Sequence, residues 1–228
     1  MKKVLAFFAA LVMLVSLCGC GNEPENIRGE ITGKFSSGAE SGVLSDEDDA
    51  EFSLGKSENN SYRNDFLGLS CTLPDDWVFY NDEQILQLNN MVGDVMDEEA
   101  AEQLKNADII YDMYASNEAD GSSINVNLEK INPLQAMTVD IKQSLESQID
   151  MIQSTYQNMG YTDIDVTYQK TTVDGKEFDS LNITAKIQGI DFYARAFTFK
   201  KGSYFANVTV CSIGTDKTQT ILGYFTVK

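Results

Sequence analysis

Apolar residues are distributed along this chain in three regimes. Val4 to Leu17 is an almost unbroken apolar run whose only polar member is Ser16. Over 21–61 the apolar residues stand alone (Ile27, Ile31, Phe35, Val43, Leu44, Phe52, Leu54), so no periodic face forms. Such a segment cannot bury enough surface to offset its ordering entropy. From Tyr62 to Lys228 periodic patterns take over, and this stretch is long enough for one domain with its own core.

Within 62–228 the pattern predicts the elements. Leu69, Cys71 and Leu73 alternate with polar positions as in a half-buried strand, which Pro74 and the two aspartates after it should end. Asn81 with Gln84 three residues on reads as a capping box before a helix whose face is Ile85, Leu88 and Val92, and a second short helix is expected over 98–106. Strands are expected over 107–116 and 122–131, joined through Ala119-Asp120-Gly121. Ile141, Leu145, Ile149, Ile152 and Tyr156 recur at helical spacing, which predicts one helix over 139–159 with Thr138 as its cap and Gly160 as its stop. Strand-like runs at 164–173, 176–187, 190–200 and 203–213 are separated by Asp174-Gly175, Gln188-Gly189 and Lys201-Gly202, each a turn signal at hairpin spacing. In the third run Phe192, Ala194 and Ala196 alternate with Tyr193, Arg195, Phe197 and Phe199, so both faces are apolar, as in a central strand covered on both sides. A short helix over 216–225 closes the chain and lays Ile221, Leu222 and Phe225 on the sheet. The expected fold class is α+β: one mainly antiparallel sheet with helices on both faces.

Composition removes whole classes of chemistry. The chain of 228 residues has no histidine and a formal charge of −18, from 17 basic and 35 acidic side chains. Histidine-dependent triads, imidazole-bound metals and a histidine switch are therefore excluded. The acidity argues against a nucleic-acid partner, which needs clustered Lys and Arg. No Gly-rich phosphate loop occurs, so no nucleotide cofactor is expected.

The amino terminus reads as a targeting segment. Met1-Lys2-Lys3 is a basic start, the run that follows is too short for a span of about 20 residues, and Leu17-Cys18-Gly19-Cys20 stands directly after it. A large aliphatic residue, two small residues and a cysteine resemble the bacterial lipobox. Cys18 replaces the commoner Ala, Ser or Thr there. The resemblance implies a signal peptide over 1–19, cleavage before Cys20, and acylation of the Cys20 thiol. Its partner would be the lipid bilayer, with the protein anchored on the extracytoplasmic face and no spanning helix needed. Residues 20–61 then form the lipidated cysteine and a flexible acidic linker, and 62–228 the domain. Residues 21–61 hold ten acidic and three basic side chains, so self-repulsion should extend them.

The order of elements, together with Phe66, Gly68, Leu73, Pro74 and Trp77, resembles the PsbP and Mog1-like α/β/α sandwich family. Its members commonly begin with an aromatic-Gly strand running into Leu-Pro-x-x-Trp, and here Leu67 is inserted between the aromatic and the glycine. The resemblance implies architecture and little function, since the family spans a nuclear-transport cofactor, photosystem II subunits and many bacterial lipoproteins.

Carboxylates are the remaining abundant catalytic groups. Asp75, Asp76 and Asp82 beside Trp77, Phe79 and Tyr80 suit a carboxylate-dependent glycan hydrolase or a glycan-binding protein, although aspartates at a strand end and a helix start equally serve as turn formers and caps. Glu118, Asp120 and Gly121 resemble part of a calcium loop, but the bidentate position is Asn127 and Glu129 is out of register. No metal site follows. Cys71 and Cys211 lie in predicted strands, and either a disulfide or two small buried apolar residues fits them. No catalytic constellation emerges. The expectation is a non-catalytic, lipid-anchored binding or scaffold module with a protein or envelope partner; the hydrolase or glycan binder is the alternative.

Overall fold

The computed structural model describes residues 52–81, 83–84, 109–132 and 138–228. Eleven strands are described: β1 (Lys56–Glu58), β2 (Ser61–Asn64), β3 (Leu69–Thr72), β4 (Val78–Phe79), β5 (Ile109–Asn117), β6 (Ser122–Lys130), β7 (Thr162–Val173), β8 (Lys176–Ile187), β9 (Ile190–Lys201), β10 (Tyr204–Ile213) and β11 (Phe225–Val227). Three helices are described: α1 (Ile141–Glu146), α2 (Ile149–Asn158) and α3 (Thr218–Leu222). The strands form two antiparallel sheets, of order β1-β2-β3-β11 and β4-β5-β6-β10-β9-β8-β7.

The hydrophobic pattern predicts a single sheet, and the chain makes two. Residues 65–68 turn the chain between β2 and β3, and β3 pairs on its other side with β11, so the two ends of the domain meet in the small sheet. Its inner residues Tyr62, Leu69, Cys71, Phe225 and Val227 pack against Ile124, Val126, Leu128, Val208, Val210 and Phe197 of the large sheet. The strand β11 escapes the pattern because three residues are too few to show alternation. The folded part also begins before Tyr62: β1 pairs with β2, and Phe52 stacks on Tyr204 with centroids 4.7 Å apart.

On the opposite face of the large sheet, Leu145, Ile152 and Tyr156 of the helices pack with Val166, Leu181, Ile183, Phe192, Ala194 and Ala196. Both α1 and α2 lie on this face, whereas α3 joins the small sheet on the other through Ile221 and Leu222. The helix expected over 139–159 is broken at Ser147-Gln148. There the Ser147 hydroxyl donates to the Ser144 carbonyl at 2.8 Å, and the Gln148 N–H turns to Leu145. A serine bonding back to its own helix competes with the ladder and bends it. The cap is Asp140, not Thr138: its Oδ1 accepts from the Gln143 N–H at 3.0 Å. The stop is at Gly160, where the N–H groups of Gly160 and Tyr161 bond the carbonyls of Gln157 and Tyr156 in a Schellman arrangement. The four-stranded meander lies where the turn signals put it, and β9 is an interior strand with one face buried (Phe192, Ala194, Ala196, Thr198) and the other half-buried around buried Phe197.

Candidate functional site

Several residues singled out from sequence are committed to structure. Asp75 accepts from the Asn60 amide at 2.5 Å and Asp76 from the Asn117 amide at 2.8 Å, so they tie the turn after β3 to the β1–β2 turn and to the end of β5. Trp77 is buried and meets Tyr224 edge-on at 6.4 Å, and Tyr80 meets Tyr114 at 4.6 Å. The aromatic and acidic segment therefore packs and caps. Asn81 and Gln84 exchange side-chain to backbone hydrogen bonds at 2.9 and 3.0 Å, a complete capping box. Asp82, the body of the helix expected after it, the helix expected over 98–106, and Cys20 with the signal peptide expected before it lie outside the described residues.

Asp120 is not a calcium ligand in waiting, because Lys217 donates to it at 2.5 Å and the Ser122 N–H at 2.9 Å. Burial pushes the Asp120 carboxyl up, but the Lys217 ammonium and Ser122 outweigh it and hold the group below its ordinary value. Among the described residues no three of His, Cys, Asp and Glu gather to hold a metal. Cys71 packs between the sheets and Cys211 on the helix side of the large sheet, so the sheet separates the two thiols. Burial raises the Cys71 thiol to about 12, which leaves it unreactive. Among the described residues no helix is long and apolar enough to cross a membrane.

Asp112 carries a latch between the sheets. It sits at a bulge in β5, between Tyr111 and Met113, which turns its carboxylate toward the small sheet. Oδ1 accepts from the Gly55 N–H at 2.7 Å, and Oδ2 from the Asn64 amide at 2.7 Å and from the Tyr62 hydroxyl. Asn64 in turn accepts from the Leu67 N–H at 2.8 Å, which fixes the turn before β3. A side chain at residue 55 would collide with the Tyr62 ring and the Asp112 carboxylate, so only glycine allows the approach.

The chemically unusual region is the helix-side face of β5, β6, β10 and β9. Directly paired residues share a face, so the register defines its rows. Glu129 lies between Ile109 and Phe205; Asn127 lies between Tyr111 and Asn207, with Thr198 beyond; Asn125 lies between Tyr114 and Thr209. These polar side chains are buried: Asn127 and Asn207 are 0% exposed and Glu129 4%. The Thr198 hydroxyl donates to Asn207 Oδ1 at 2.7 Å, Asn207 Nδ2 to Asn127 Oδ1 at 3.3 Å, and Asn127 Nδ2 to Asn125 Oδ1 at 3.3 Å. The row is polarised, with every donor pointing the same way along it.

Beside it, Glu129 Oε2 is buried without a hydrogen-bond partner, as are both amide atoms of Gln148 and the hydroxyl of Tyr156. Burial alone pushes the Glu129 carboxyl up to about 8 and the Tyr111 hydroxyl up to about 12. At neutral pH Glu129 is therefore mainly the neutral acid, able to donate as well as accept. Strand β6 announces this face in sequence, since Ser123, Asn125, Asn127 and Glu129 alternate with Ile124, Val126 and Leu128. Alternation alone reads as polar-to-solvent. The matching alternation of Asn207 and Thr209 on β10, once the two strands are paired, is what marks a polar interior.

A separate surface cleft of about 570 Å³ opens where α2 meets β7, lined by Gln153, Gln157, Tyr161 and Asp163 among others. Its walls bring no cluster of reactive groups together.

No protein-family description matches the chain, and no curated protein does. Among solved structures it is similar to a protein of Bacteroides thetaiotaomicron VPI-5482, with 7% identity and a TM-score of 0.39 over 75% of this chain. It spans about half of that protein, 49% of its length. It is also similar to LpqN, involved in cell envelope biogenesis of Mycobacterium tuberculosis, with 11% identity and a TM-score of 0.36 over 68% of this chain and 75% of that one.

Proposed function

We propose that this is an extracytoplasmic lipoprotein, anchored through acylated Cys20, whose domain binds a ligand or envelope partner without catalysing a reaction. The observation that carries the anchor is Leu17-Cys18-Gly19-Cys20 placed directly after a basic start and a short apolar run. The PsbP and Mog1-like architecture belongs to the same reading. Its support is the mainly antiparallel large sheet, with α1 and α2 on one face and α3 on the other, and the Leu-Pro-x-x-Trp segment directly after β3. Binding in place of catalysis is supported by the use of Asp75 and Asp76 as turn anchors and by the polar face around Glu129, where a single carboxyl sits among amides.

The anchor is tested by growing a bacterium that expresses the full chain with labelled palmitate and fractionating it. The protein should carry label in the membrane fraction, and Cys20→Ala should carry none. Label persisting in Cys20→Ala, or a membrane-bound Cys20→Ala protein whose signal has been cleaved, refutes the assignment.

A further inference from the structure

We infer that the end of the domain at which Phe52 enters is a lipid-docking surface, whose exposed lysines and apolar side chains rest on anionic phospholipid headgroups and orient the anchored domain. The inference rests on the lipoprotein reading and adds the lipid class that the domain recognises.

The strand directions gather lysines at this end. Lys130 ends β6 and Lys201 ends β9, and both pair directly with Tyr204 at the start of β10, so the three share one row and one face. Lys200 stands beside Lys201, and Lys176 opens β8, the next strand of the sheet. Lys228 arrives from the small sheet: the Val227 N–H bonds Asp174 in the β7–β8 turn at 3.0 Å, two residues before Lys176. Lys228 and Lys56 both lie near enough to Asp65 to help Arg63 hold its carboxyl below the ordinary value. Lys56, Lys130, Lys176, Lys200 and Lys228 are exposed.

Elsewhere the domain neutralises its own cations, since Lys142, Lys170, Lys186 and Lys217 each pair with a carboxylate of the fold. Among the described residues Lys56, Lys130, Lys176 and Lys228 form no such pair. Of the acids at this end, Asp65 is bonded to Arg63 and Asp174 to the Val227 N–H, while Glu177 is exposed.

Apolar side chains stand among these lysines. Phe52 stacks on Tyr204, between the strands of Lys130 and Lys201, and is 37% exposed; Leu54 is 53% exposed. Apolar groups ringed by ammonium groups match a bilayer interface, where phosphates lie above acyl chains. A soluble polyanion offers only the phosphates.

The acid surplus of the whole domain does not cancel this local attraction. Strands β7, β8 and β9 have 12 residues each, so they run about 40 Å, whereas a surface potential decays over about 8 Å at physiological ionic strength. Asp120, Asp191 and Asp216 lie at the opposite end of the strands, outside that field. The contact therefore orients the domain, and the acyl chains hold it.

For the test, the unacylated full chain is coupled to a maleimide lipid through its amino-terminal thiols; Cys71 and Cys211 are buried and stay unmodified. The vesicles are phosphatidylcholine alone, or phosphatidylcholine and phosphatidylglycerol in equal parts. Acetylation by a water-soluble reagent is followed lysine by lysine with mass spectrometry. Lys130, Lys176 and Lys200 should react about threefold or more slower on the anionic vesicles, while Lys142 and Lys170 keep their rates. Salt at about 1 M, where the screening length is about 3 Å, should remove the difference. Lys130→Glu with Lys200→Glu should return Lys176 and Lys228 to their rates on phosphatidylcholine, with circular dichroism unchanged. Equal rates at Lys130 on the two vesicles overturn the inference, whether the end stays in solvent or the acidic run 46–51 covers it. So does slowing of every lysine alike, or protection that persists in the charge-reversed chain. Because the coupling replaces acylation, none of these outcomes depends on palmitate at Cys20, and the two readings fail separately.

Discussion

Asp112 shows how one residue can hold two sheets in register. Its bulge gives the large sheet an acceptor that faces across the layer gap, and three donors from residues 55–64 close on it. Asp112→Ala leaves the Tyr62 hydroxyl and the Asn64 amide without that partner in a largely buried setting. Unsatisfied groups of this kind cost about 1–3 kcal/mol each, so the variant should lose about 2–4 kcal/mol in urea unfolding. Asp112→Asn keeps an acceptor and should lose less; equal losses for the two would count against the latch. Nothing in the sequence marks Asp112, because its partners are 48 to 57 residues away. Asn81 and Gln84 were legible because both halves of their capping box lie within one turn. The Glu129 face falls between these cases. Its alternation is visible, but its burial depends on which strands become neighbours.

At the scale of elements, local chemistry foretells most of the meander and misses the pieces that depend on chain ends. Each hairpin of β7 to β10 is encoded by its own turn, and the strand bounds fall within a few residues of the pattern. The sharpest coupling between a turn and a distant element is at Asp174, which lies in the left-handed region at φ 49° and whose Oδ2 accepts the Val227 N–H of β11 at 3.0 Å. The turn needs the backbone conformation, whereas β11 needs the carboxylate. Asp174→Gly keeps the first and removes the second. The variant should fold with the β7–β8 hairpin intact and lose about 0.5–1.5 kcal/mol, the net worth of one hydrogen bond. Amide exchange should accelerate at Val227, while Lys176 and Val173 stay protected. Uniform acceleration across the hairpin would mean that aspartate serves the turn alone.

For the whole molecule, charge repulsion and the buried Glu129 carboxyl weaken the fold as pH rises, and paired carboxylates act against them at the acid end. Residues 62–228 carry 25 acidic and 12 basic side chains, so their net charge is −13, and self-repulsion grows as carboxylates ionise. In the proposed anchored form, an anionic membrane surface would repel the same charge, so the acyl chains would be the firm contact. Most ionised carboxylates repel one another weakly across solvent, whereas Glu129 is held near 8 against an ordinary 4.5 by burial. Across that interval the folded form retains a proton that the unfolded form has lost. The unfolded state binds fewer protons, and stability falls with rising pH by about 1.4 kcal/mol per unit within the window. Asp120 and Asp179 act in the opposite sense at the acid end. Both are held below 3.8 by their lysine and hydroxyl or N–H partners despite burial, so their contribution is present above that value and lost below it. Stability should therefore peak at about pH 4–5, more acidic than the usual optimum between about 5 and 8. Urea unfolding of the full chain from pH 4.5 to 8.5 checks this. The wild type should weaken steadily, and Glu129→Gln should flatten the curve, because the amide carries no proton to lose. Parallel curves for the two proteins would show that Glu129 is not held neutral in the fold.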